Sequence, residues 1–204
     1  MIWIWTWGEH LFRRFAIIGH DVPSKGDFSL NDLAGGAGRL DVLLRAVNTA
    51  LFTSHGIRED TQIVLHLEGS GSRRIRFDGS SLKGVHPDER SIAGHVRAVV
   101  KRPPPPIGVW KEFSSGISHS GGGITETLNE WKYEGCQISV MDVKGDPLDE
   151  ISQDVSLCLV LSDHKPFSES ESELLSGYDR VSLGPMWLQG HACIAIAHYI
   201  LDRP

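Results

Sequence analysis

The sequence predicts an α/β fold, a mostly parallel sheet with helices on both faces. Three observations predict it. Short, unbroken apolar runs such as "RFAIIGH" and "SLCLVLS" suit strands buried on both faces. Segments with apolar residues at helical spacing alternate with those strands. No internal repeat period is visible, which leaves a single layered domain rather than a solenoid.

Taken in order, "MIWIWTWGEHLF" (1–12) reads as an extension ahead of the first strand. It is no signal peptide: its apolar run is short, no basic residue precedes it and no small-residue cleavage site follows. An upstream start codon or a Trp-rich flap on a partner accounts for it, and residues 13–204 read as one domain. The strand at 14–20 comes first. Apolar residues at 40, 43, 44, 47, 51 and 52 form a helical stripe within 38–56, closed by Gly56. Strands at 61–69 and 73–79 are joined by "GSGS" into a hairpin. A second helix spans 86–102, with Pro87 and two acids at its start and Lys101 and Arg102 at its end, as the helix dipole favours.

"PPPP" (103–106) is the one credible internal boundary. The Gly-rich "SSGISHSGGG" beyond it reads as irregular, and "ITETLNEWKYEG" as a helix. Strands at "CQISVMDVKG" and "DVSLCLVLSDH", a short acidic helix at "SESESELLSG", a last strand at "DRVSLGP" and a helix from His191 to Leu201 complete the order. In such sheets ligands bind where loops leave the carboxyl ends of strands, here after "ISVMD", "LVLSDH" and "VSLGP".

Composition narrows the function. A net charge of -6 excludes RNA binding by overall charge and leaves only local patches. The alternating Arg73, Arg74 and Arg76, and the pair Arg13 and Arg14, read first as solvated strand edges. The 3 cysteines leave one unpaired in any disulfide scheme and form no C-x-x-C, which points to a reducing compartment and no structural zinc. No stretch approaches the roughly 20 apolar residues of a membrane span, so a cytoplasmic protein is expected.

Neither G-x-G-x-x-G nor G-x-x-x-x-G-K-[ST] is present, and "AGGAGRLD" and "SGGGIT" have the wrong spacing for a phosphate cradle. A cofactor without phosphates needs none. The nucleophile elbow is absent, and Cys193 and His198 sit five apart, on different faces of one helix. "HPDER" and "GRLD" place Arg90 and Arg39 beside helix starts, where capping explains the acids Asp88 and Asp41 but not the arginines.

"DFSLNDLAGGAGRLDVLLRAVNTALFTSHGIREDTQIVLHLEG", "IRFDGSSLKGVHPDERS", "LSDH" and "RVSLGPMWLQGHACIAIAHYILD", in this order, resemble the archaeal tRNA pseudouridine-54 N1-methyltransferase family. That family belongs to the knotted SPOUT class of S-adenosylmethionine-dependent RNA methyltransferases. The resemblance runs from about Arg13 to the C-terminus. It implies a C-terminal trefoil knot, a homodimer with cofactor sites by the interface, S-adenosyl-L-methionine as cofactor and tRNA as partner, without metal or membrane. Carried over by position, Met141, Ser162, Leu183, Gly184, Pro185, Met186, Trp187, Leu188 and Cys193 form the cofactor pocket, with serine at 162 where the family often has glycine. Arg39, Asp88 and Arg90 are the implied catalytic residues, with Asp41 and Arg58 behind them. The rival readings are N1 methylation of a pseudouridine in small-subunit ribosomal RNA, and a non-catalytic RNA-binding assembly factor.

Overall fold

A computed structural model describes residues 11–152 and 154–203, so the Trp-rich start lies outside the described residues. The elements are β1 (Arg13–Gly19), α1 (Leu40–Leu51), β2 (Thr61–Leu67), β3 (Arg73–Asp78), α2 (Glu89–Val100), β4 (Lys111–Ser114) and β5 (Ile117–Gly121). There follow α3 (Ile124–Tyr133), β6 (Gln137–Pro147), β7 (Leu157–Ser162), α4 (Glu169–Leu174), β8 (Asp179–Ser182) and α5 (Gly190–Leu201). They build one 8-stranded sheet of order β4-β5-β3-β2-β1-β7-β6-β8. Strands β2, β1, β7, β6 and β8 are parallel, while β3, β5 and β4 continue the sheet antiparallel.

Alternation along each central strand feeds two cores. Phe15 and Ile17 of β1 face Leu43, Val47, Ile92, Val96 and Ile194, from helices α1, α2 and α5. Ala16 and Ile18 face the other way, toward Leu128 and Trp131 of α3 and Leu175 after α4. Helices therefore cover both faces, as buried parallel strands require.

Helix α1 ends at Leu51, short of Gly56, because Phe52 turns to an extended conformation and bridges to Ile57. Helix α2 begins after Asp88, whose carboxylate accepts from the Ser91 amide at 2.8 Å. The "SSGISHSGGG" segment is ordered, contrary to its irregular reading: a tight turn at Gly116, with φ of 75°, joins β4 to β5. The proline run lies against this sheet, with the Pro105 carbonyl accepting from Gly121 N at 3.2 Å.

A second correction concerns Arg73 and Arg74, which are fully buried rather than lining a wet strand edge. Arg73 donates to the carbonyls of Ser24 and Arg102 and to His119 Nδ1 at 2.8 Å. Arg74 donates to Glu130 at 2.9 Å and to Thr127, Ser120 and the Gly121 carbonyl. Its guanidinium also lies 4.7 Å from the Trp110 ring centre. Hydrogen-bond acceptors, and for Arg74 an aromatic face, replace most of the lost solvent, while Arg73 Nε stays without a partner. Burial beside Arg73 pushes the His119 imidazole down to about 4.

The end of α5 is latched at the opposite pole. Arg13 pairs with Asp202 and donates to the Leu201 carbonyl at 2.7 Å, and Arg58 grips the same carboxylate at 2.6 Å. Buried His198 stacks edge-on against Phe15 with ring centres 5.2 Å apart. No helix among the described residues is long and apolar enough to cross a membrane, and the three cysteines are free thiols.

Candidate active site

The parallel strands β6, β7 and β8 run together, so the chain leaves each at the same edge of the sheet. A cavity of about 670 Å³ opens there. Met141, at the end of the regular part of β6, forms one wall, and Ser162, the last residue of β7, forms another. The turn after β8 closes it with Leu183, Gly184, Met186, Trp187 and Leu188, and Cys193 of α5 completes that side. Pro185, at the crest of the turn, is not among the lining residues.

Local physics shapes this turn. Gly184 has a φ of 119°, a conformation that side chains rarely adopt, and its amide is held by Ser182 Oγ at 3.0 Å. Gly190 starts α5 where a Cβ would stand 3.1 Å from Ile17 Cδ1 and 3.7 Å from the Ser162 carbonyl. A side chain here would press on the Ile17 methyl, so glycine eases the close start of the helix on β1 and β7. Cys193 Sγ lies 3.8 Å from the Leu188 carbonyl, and burial pushes its thiol upward, away from the reactive thiolate.

Arg39 reaches the same cavity from the start of α1. Its φ of 63° makes it the one non-glycine in the left-handed region among the described residues, a strained conformation held by its surroundings. Its guanidinium donates to both oxygens of Asp41, at 3.0 and 3.3 Å. Burial works to raise the Asp41 carboxyl, but Arg39 and Arg45 outweigh it and hold it below its ordinary range. Arg45 bridges Asp41, at 3.0 Å, to Glu89, at 2.9 Å. A chain of ion pairs thus leads from the cavity rim to the start of α2.

Asp88 and Arg90 stand there, outside the cavity lining, both exposed. Arg58 is occupied with Asp202 at the far end of α5, roughly 17 Å along the helix from Gly190.

Several cavity residues escaped the sequence reading: Asp142 paired with Arg180, and Asp163, His164, Lys165 and Phe167 of the loop after β7. The "LSDH" motif carried the signal, but only its serine was taken. The Asp163 side chain is wholly buried and accepts from the His20 and Lys165 amides at 3.0 and 2.8 Å.

The lining suits a cofactor of the adenosylmethionine type. Its volume falls within the ~300–1,000 Å³ range of small-molecule sites, with mainly apolar walls. Its polar lining comes from the backbone of the bent loops and from Asp142 with its partner Arg180. No phosphate cradle is needed for such a group.

Residues 12–204 match the family described as "Putative SAM-dependent RNA methyltransferase". The chain belongs to this family. It is 42% identical over 193 residues to the tRNA (pseudouridine(54)-N(1))-methyltransferase of Haloferax volcanii, covering 93% of this chain and 96% of the relative. The enzymes of the same name from Haloarcula marismortui and Methanococcus maripaludis are 41% and 36% identical, over 93% and 94% of this chain and 96% and 98% of theirs. The fold is shared with Archaeoglobus fulgidus Nep1, solved bound to S-adenosylhomocysteine. That match has a TM-score of 0.61 at 13% identity and covers 95% of this chain and 99% of Nep1.

Proposed function

We propose that this chain transfers the methyl group of S-adenosylmethionine to N1 of pseudouridine 54 in tRNA. One observation carries the reading: the cavity at the ends of β6, β7 and β8 has Arg39 on its rim, in a chain aligned almost end to end with relatives named for this reaction.

When bound, the cofactor supplies a methyl group already activated on a sulfonium. Met141, Ser162, Leu183, Gly184 and Met186 to Leu188 would hold it beside Cys193, with Pro185 shaping the turn from outside the lining. What remains for the protein is to hold the base in line and to manage the N1 proton. Arg39, pre-shaped by its strained backbone and by Asp41, donates to a base carbonyl and steadies negative charge developing there. Asp88 Oδ1 is engaged by the Ser91 amide, and Oδ2 is the oxygen that accepts the N1 proton, directly or through water. Arg90, the second residue of α2, contacts the neighbouring phosphate. The Arg39–Asp41–Arg45–Glu89 chain supports the placing of both on the path to the cavity. The target base must leave the folded T-loop to be read, as enzymes acting on stacked bases require.

Residues 13–204 form one domain in this reading, with α5 as the threaded segment of a trefoil knot. The close seating of Gly190 on β1 and β7 supports it. The enzyme works as a homodimer: Met186 is 70% exposed, Trp187 76% and Tyr199 64%, an apolar surface suited to a second copy. It acts in the cytoplasm, where unpaired thiols persist.

Purified protein with labelled S-adenosylmethionine should methylate a tRNA transcript carrying pseudouridine in the T-loop, and neither the uridine transcript nor a ribosomal hairpin. Equal labelling of both tRNAs, labelling of the hairpin alone, or none, would overturn the proposal.

A further inference from the structure

His20 follows β1 at the edge of the sheet where the cavity opens, yet it does not line the cavity. Its two ring nitrogens face two different carboxylates: Nδ1 lies 2.9 Å from Asp163 Oδ1, and Nε2 lies 3.0 Å from Glu171 Oε2. Both acids already serve as acceptors elsewhere. Asp163 takes the amides of His20 and Lys165, while Glu171 takes the Ser168 amide at 2.7 Å and hydroxyl at 2.9 Å, closing the cap of α4. With these oxygens already taken up as acceptors, each acid meets the ring as an acceptor too. A neutral imidazole has only one N–H, so satisfying both partners requires the imidazolium.

We infer that His20, held as an imidazolium between Asp163 and Glu171, is a positioning residue that staples the loop from Asp163 to Ser172 onto β1 and so sets one wall of the cofactor cavity. The inference rests on the reading of that cavity as the cofactor pocket. Asp163, His164, Lys165, Phe167 and Ser172 all line the cavity, and all lie within the stapled segment.

The surroundings favour the charged ring. Burial opposes it, but the bonds to Asp163 and Glu171 prevail, and the imidazole is raised above its ordinary range. Asp21 next in the chain and Glu68 at the end of β2 add negative charge nearby. His164 and Lys165 face Asp163 and Asp21 and act in the opposite sense. When the proton leaves at higher pH, one ring nitrogen presents a lone pair to a carboxylate. Asp163 is buried and anchored by two amides, so the contact that opens is the one to Glu171, the more exposed acid at the start of α4. The wall then loosens on its α4 side.

Three measurements test this on the full chain. In the ligand-free wild type, nitrogen-detected NMR of labelled histidines should show both His20 nitrogens protonated at pH 7. Hydrogen exchange across residues 163–174, corrected for the intrinsic base-catalysed rate, should lose protection as His20 titrates at higher pH. Calorimetry with S-adenosylhomocysteine should show affinity falling about tenfold through the same titration, the worth of one charge-assisted hydrogen bond. His20→Gln, able to donate from one end only, should bind at the weaker level with a flat pH profile. A single neutral tautomer at pH 7, protection of residues 163–174 that stays constant through the His20 titration, or wild-type affinity in His20→Gln would each overturn the inference. Absence of binding at every pH strikes instead at the cofactor reading, and the staple then stands or falls on the exchange data.

Discussion

The two halves of the sheet are held together by different physics. In the parallel half, β1 and β7 bury apolar residues on both faces, Phe15 to Ile18 and Leu157 to Leu161, and β6 adds Ile138 and Val140. In the antiparallel half, β3 and β5 meet through Arg73, Arg74 and Arg76 opposite Gly121, Ser120 and Ser118. Trp110 lies against two of those guanidinium groups, at 4.7 and 4.3 Å. Apolar burial is tolerant of detail, whereas a buried charge depends on particular acceptors being in place. The cavity sits in the first half, at the strand ends, and the second half extends the sheet away from it.

The largest break in this contrast should come from Arg74→Ala. It strips the partner from Glu130 and uncovers Trp110 and Ser120, and should cost about 4 kcal/mol in urea unfolding. A loss under about 1 kcal/mol would mean the polar half needs no such network. Leu159→Ala, in the parallel half, should cost about 3 kcal/mol through its cavity alone. Arg39→Gly separates stability from chemistry: methyl transfer should fall about 100-fold, near 2.7 kcal/mol of barrier, with unfolding changed by less than ~1 kcal/mol.

Asp202→Asn probes the latch that joins α5 to the parallel half. Hydrogen bonds from Arg58 and then Arg13 hold the Asp202 carboxyl down at about 2, below its unfolded value near 4. Its contribution is therefore complete above about pH 4 and is lost as pH falls toward 2. At pH 7 the variant should lose about 1 kcal/mol, since the exposed carboxylate is screened, and the acid dependence it supplies should vanish. His198 has the same sign of pH dependence over a higher window. Buried and pushed down to about 4, it destabilises the fold as pH drops below about 6.5, where the unfolded imidazole takes up its proton. The smallest effect should come from Ser162→Gly, which removes the bond from Ser162 Oγ to the Lys165 carbonyl. Affinity for S-adenosylhomocysteine should weaken about threefold by calorimetry, and tighter binding would mean the Cβ crowds the ligand.

The same contrast explains what was legible. Ile17, Leu159 and Val160 announce buried strands by composition, and Asp88 announces a helix start by its position. Strand β5 announces nothing, because Ser118, His119 and Ser120 carry no apolar period. They form a strand because arginines on β3 accept them as partners. The family resemblance points to Met141, Ser162 and the 183–188 turn, all of which but Pro185 line the cavity, and the strand-end rule points to the loops that carry them. Asp163 and His20 were missed. They lie 143 residues apart, and only the pairing of β1 with β7 makes them neighbours.

By itself, the sequence determined the layered α/β class, the order of most elements, the family, and the glycines that bend the chain before α5. Periodicity, capping and turn chemistry are local, and a linear reading can reach them. The tertiary structure alone decided that Arg73 and Arg74 are interior, that Arg39 shares a cavity with Met141 and Leu183, and that His20 lies between two acids. Those outcomes depend on which strands become neighbours and on what then replaces water around a charge, and that balance exists only once the chain has closed on itself.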